Sequence, residues 1–144
     1  MIKKIIIMKK IIGILLLAVI VLSCSKDSEA ESKFNYDLNL LYGTWRITHI
    51  QNDDGSFMDI TTSAAESLIE PTYATFKSDF TYTGKGFFGN GNGKYKAVGN
   101  SVITYVDGVE FLRYDIVSLT GTECQLIIKE PGTTSSIGIK CKKQ

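Results

Sequence analysis

One histidine, two prolines, one tryptophan and three cysteines in 144 residues leave little from which to build catalysis. Acid–base and nucleophilic mechanisms need a group that titrates near neutrality beside a partner that tunes it. His49 has no identifiable cysteine or carboxylate companion, so no catalytic residue is assigned, and strand alternation places it as an interior, hydrogen-bonded side chain. Calcium ligation is equally unsupported: Asp53, Asp54 and Asp59 surround Gly55 without the alternate spacing and closing glutamate of a calcium loop. A solvated hairpin is expected there, with no metal and no cofactor. The glycines of Gly84-Lys85-Gly86 and Gly89-Asn90-Gly91-Asn92-Gly93 have no following helix to aim amides at a phosphate, so they are read as turns or a flap at a rim. A membrane-spanning run is missing as well. Residues 11–22 are twelve consecutive apolar or glycine residues, whereas a helix crossing a bilayer needs about 20.

What is present begins with that short run. Lys3, Lys4, Lys9 and Lys10 precede it and Ser23 closes it, the layout of a secretory leader; Met8 offers a second start with a complete basic region of its own. Val21-Leu22-Ser23-Cys24 resembles the lipobox of bacterial lipoproteins. The resemblance implies cleavage before Cys24, a thioether-linked diacylglycerol on its sulfur and acylation of the new amino group. Each buried methylene contributes about 0.8 kcal/mol and a single chain binds only marginally, so two or three chains hold a protein for good. Ser25 after the cysteine resembles the outer-membrane sorting pattern, and Lys26-Asp27 with Glu29 resembles the charged signals that send some lipoproteins to the cell surface. The expected location is therefore the outer membrane, on its periplasmic or cell-surface side, with the membrane as a partner through the lipid. The chain divides into three segments: a leader over 1–23, a polar tether over 24–35 and one folded domain over 36–144. Without the four leader lysines the chain has 12 Lys and Arg against 15 Asp and Glu, a net charge of −3. That balance, with no basic stripe carrying interleaved aromatics, excludes nucleic acid as the partner.

The folded part reads as all-β. β-branched and aromatic runs over 44–51, 72–77, 80–84, 94–98, 101–106, 109–119, 123–129 and 136–142 are separated by Gly, Asn and Asp clusters suited to hairpins. An exception is 63–70, where Ser63-Ala64-Ala65-Glu66 has the capping-box form and Pro71 stops the helical stretch. It reads as a short helix in the first long connection, either a lid over a barrel mouth or a plain surface turn. Pairing the last two strands so that positions sum to 265 sets Cys124 opposite Cys141, Leu126 opposite Ile139 and Ile128 opposite Ile137, all on one face; a one-residue slip would split them. The two cysteines are then either a cross-strand disulfide or two buried thiols.

Gly43-Thr44-Trp45, preceded by Leu40-Leu41-Tyr42, resembles the G-x-W start of the lipocalin and calycin barrels, in which a helical turn leads into strand one and the tryptophan plugs the closed end. Phe76 to Asp79 and Gly93 to Tyr95 match further features of small lipocalin-like lipoproteins, so the resemblance runs over about 37–142. It implies an eight-stranded antiparallel up-and-down barrel that acts as a binding module for a small apolar or amphipathic ligand. The inward side chains would be Trp45, Ile47, His49, Phe76, Phe80, Tyr82, Tyr95, Leu112, Tyr114, Ile116 and Leu126. Two departures stand out. Only Lys140, Lys142 and Lys143 are available where the family packs an arginine on the tryptophan, and no helix follows the barrel, so closure is expected to be less complete and the cavity small or absent. The rival reading is an envelope lipoprotein with a filled core that binds a protein through loops around Phe87-Phe88 and 56–62.

Overall fold

Hairpin connections rich in Gly, Asn and Asp dictate the topology, because each returns the chain beside the strand it has just left. The computed structural model describes residues 33–144; the leader, the lipobox, Cys24 and the tether up to residue 32 lie outside them. A single turn of helix, α1 (Leu38–Leu41), is capped by Asp37, whose carboxylate accepts from the Asn39 amide. Nine strands make up the sheet: β1 (Gly43–Gln51), β2 (Phe57–Asp59), β3 (Tyr73–Phe76), β4 (Thr81–Gly84), β5 (Gly91–Val98), β6 (Ser101–Val106), β7 (Val109–Leu119), β8 (Glu123–Lys129) and β9 (Ser136–Lys143). A short helix α2 (Ser63–Glu66) lies between β2 and β3, and a 3-10 turn (Gly86–Phe88) lies between β4 and β5.

β1 and β3 to β9 form a closed antiparallel meander of eight strands, as the sequence indicated, and β2 is an added ninth beside the far half of β1. Closure is complete rather than partial, since β9 pairs with β1 from Trp45 to Ile50. The last hairpin has the expected register, with Cys124 opposite Cys141, Leu126 opposite Ile139 and Ile128 opposite Ile137. The expected hairpin around Gly55 is also present, and the carboxylates of Asp54 and Asp59 accept from Ser56 and Thr61. β5 begins earlier than expected: Gly91, Asn92 and Gly93 are strand paired with β4, and Gly93 passes so close to β6 that any Cβ there would collide with the Tyr105 carbonyl oxygen.

The helix differs from its reading. Thr62, not Ser63, is the N-cap, accepting from the Ala65 amide, and regular helix ends at Glu66. The Glu66 carboxylate does not reach back to the cap; it pairs with Arg46 on β1. Phe34 and Asn35, assigned to the tether, belong to the barrel. Phe34 is buried, and the Asn35 amide donates to the Gly99 carbonyl at 2.8 Å.

Three bulges bend the wall, in β1 between Ile47 and His49, between β6 and β7 near Ile103, and between β7 and β8 near Ile116. Bulges insert one unpaired residue and reverse the inside–outside alternation beyond it. Thr48 is the extra residue in β1, so Ile50 faces the fully buried Ile139 while His49 stands opposite Lys140.

Candidate binding site in the barrel interior and at its two ends

Of the eleven residues expected inside, eight are buried: Trp45, Ile47, Phe76, Tyr82, Tyr95, Tyr114, Ile116 and Leu126. Leu112 is half-buried and packs against the same cluster. Two are misplaced. His49 is turned out of the barrel by the β1 bulge, and its Nδ1 lies 2.9 Å from Thr48 Oγ1. Phe80 is 46% exposed at the β3–β4 turn, where its backbone has the left-handed φ of 62°. An alternation count through 80–84 cannot detect that reversal, because nothing in the side chain of Phe asks for it.

Aromatic rings fill the middle. Phe76 meets Tyr95 edge-on at 5.2 Å and Tyr114 at 6.1 Å, and lies 6.2 Å from Tyr82. Burial drives the Tyr95 hydroxyl up to about 12, and the neighbouring phenol of Tyr114 is raised further for the same reason. Tyr95 donates to the Lys77 carbonyl at 2.6 Å and Tyr114 to that of Phe88 at 2.9 Å. Among the described residues the buried Tyr82 hydroxyl has the Thr104 hydroxyl as a neighbour but makes no hydrogen bond of normal geometry. Thr104, also buried, uses its hydroxyl to accept from the Leu112 amide and donate to the Leu112 carbonyl, which satisfies the bulge in β7. The cavity bounded by Trp45, Phe76, Phe88 and Tyr114 with the two cysteines holds about 10 Å³. One water needs roughly 10–15 Å³ and two or more polar partners. No apolar ligand fits in this conformation.

Cys124 and Cys141 are buried and unbonded in this structure. Burial raises the Cys124 thiol to about 12, and Cys141 is raised by burial and by its neighbour. A thiol held protonated is a poor nucleophile, and here the pair serves as apolar wall.

The closed end is built around Trp45. Its indole N–H donates to the Leu41 carbonyl at 2.8 Å. Lys143 supplies the cation that the family draws from arginine: its Nζ lies 4.8 Å from the indole centre and donates to the carbonyls of Leu40 and Tyr42, at 2.7 Å each. Those oxygens are left over at the end of α1, so one side chain both covers the ring and caps the helix. Desolvation at this position lowers the Lys143 pKa.

At the open end Phe88 is the residue that sequence reasoning missed. Only Phe87 of the pair faces outward; Phe88 is 1% exposed and its ring lies 5.6 Å from Tyr114. Gly86 and Gly89, at φ of 70° and 76°, bracket the turn that inserts it, and L side chains other than Asn and Asp rarely adopt such angles. Gly86 also passes against Thr72, whose hydroxyl accepts from the Phe87 amide. The glycine spacing was visible, but it cannot tell which ring turns inward. Beside this stopper a shallow hollow of about 300 Å³ is lined by Ile69, Glu70, Thr72, Gly86 and Phe87. Leu68, 86% exposed, is the residue before Ile69.

Among the described residues no group of His, Cys, Asp and Glu is placed to hold a metal, and no helix is long and apolar enough to cross a membrane. A family model described as a lipocalin-like domain matches residues 41–126. The chain therefore belongs to the lipocalin-like family, whose barrel is a ligand-binding fold. A search of curated proteins found no match to it.

Proposed function

We propose that the chain is a lipid-anchored binding protein of the cell envelope whose barrel is a solid scaffold and whose binding surface is the rim of the open end. The filled interior carries this reading, because a carrier conformation needs a pocket of some 300 Å³ or more and about 10 Å³ remains. Leu68 and Phe87 supply exposed apolar surface at the rim, with half-buried Ile69 beside them, of a kind that marks contacts with other proteins. The anchor is supported by Val21-Leu22-Ser23-Cys24 behind a lysine-led apolar run.

A carrier reading retains one observation in its favour: among the described residues the buried Tyr82 hydroxyl makes no hydrogen bond of normal geometry, although Thr104 lies nearby, and a bound polar group would relieve that cost. Native mass spectrometry of the anchored protein, extracted from its own envelope in detergent, separates the two. The expected result is a co-purifying protein that is lost in Phe87→Ser. A stoichiometric small molecule that survives Phe87→Ser would contradict the rim reading and favour the carrier. Globomycin should leave an unprocessed precursor; unchanged processing would remove the anchor.

A further inference from the structure

We propose that the closed end of the barrel rests on the lipid surface, with Phe80 as its apolar contact; this rests on the anchoring reading above. The chain joins the barrel at this end. Phe34 is buried, the Asn35 amide donates to Gly99, the Gly99 amide donates to Lys33, and the Tyr36 hydroxyl donates to Ile116. Lys33 lies nine positions after Cys24, and a fully extended chain of that span reaches about 32 Å at most. The anchored sulfur is thus tied within a few tens of ångströms of the closed end, whatever path the tether takes.

Phe80 sits at this end in a conformation that its own chemistry does not favour. A left-handed φ is an outlier for a bulky side chain and ordinary for Gly or Asn. The turn is nevertheless fixed: the Phe80 amide donates to Lys77, the Lys77 amide donates to Thr81, Asp79 accepts from both the amide and the hydroxyl of Thr81, and Tyr95 donates to Lys77. A glycine would fit this turn without strain, yet the sequence places there a ring that remains nearly half exposed and touches Tyr95 at 5.6 Å. Phe80 also lines a hollow of about 640 Å³ with Phe34, Tyr36, Leu38 and Ala97. Lys33 and Asp37 line it too, and the Asp37 and Asp79 carboxylates, each accepting from a nearby backbone amide, balance the charges of Lys33 and Lys77. Exposed aromatic surface of little net charge, on a short leash from an acylated cysteine, matches the requirements of a bilayer interface. The open rim then faces away from the membrane, toward partners.

The test uses the full lipidated chain in nanodiscs of phosphatidylethanolamine and phosphatidylglycerol containing a headgroup spin-labelled lipid, with amide signals read by NMR. Intact mass first establishes the lipid on Cys24. Amides of residues 33–38 and 77–81 should lose more than half their intensity, while those of 86–90 and 130–135 keep theirs. Phe80→Gly should stay folded, glycine being native to that backbone, and should even out the losses. Uniform broadening in the lipidated wild type, or losses concentrated at 86–90 and 130–135, overturns the docking while leaving the anchor intact. A mature chain without lipid overturns both.

Discussion

Lys143 and Trp45 show what a single residue settles in this barrel. The lysine packs on the tryptophan because its ammonium finds two helix-end carbonyls and the face of an indole together. Sequence reading located the tryptophan and named three candidate lysines, but choosing among them needed the register of β9 beside β1. Trp45→Ala should destabilise the fold by about 3–5 kcal/mol; a urea midpoint close to wild type would mean that Trp45 does not plug the closed end. The phenols give a pH test. With Tyr95 raised to about 12 and an unfolded tyrosine near 10, the native state retains protons that the unfolded chain releases. That stabilisation is complete below about pH 10 and falls as pH rises toward 12. Urea midpoints measured from pH 9 to 11.5 should decline, and Tyr95→Phe should make the decline shallower without abolishing it, because Tyr114 and the two thiols are raised by burial as well.

At the scale of elements, regular alternation was legible and its interruptions were not. β8 and β9 could be registered from three apolar pairs because a slip would have exposed them all. His49 was misplaced because the β1 bulge leaves no mark in Thr48 or its neighbours, and Phe80 was misplaced because its turn uses a backbone conformation that the residue type argues against. The helix cap moved by one residue since Thr62 and Ser63 both carry a suitable hydroxyl and Glu66 finds Arg46 instead. Gly93 is the opposite case, a glycine read as turn that proves to be strand. Gly93→Ala should cost about 1–3 kcal/mol by overpacking, because β5 and β6 must separate to admit the methyl group. A thermal midpoint equal to wild type would show that the two strands are not so close.

For the whole molecule, the fold class was readable because strand count, hairpin chemistry and the Gly43-Thr44-Trp45 start agree, while the content of the interior was not. Composition supplies seven Phe and seven Tyr without saying how many rings turn inward. Phe76, Phe88 and Tyr114 all do, and with them the barrel closes on itself at both ends. The proposed function depends on that solidity, which diffraction from crystals under xenon pressure measures most directly, since dry apolar cavities of sufficient size bind the gas. No xenon should be found inside the wild-type barrel, and Phe88→Ala should create a xenon site beside Phe76 and Tyr114. Xenon bound among those rings in the wild-type protein would contradict the filled core.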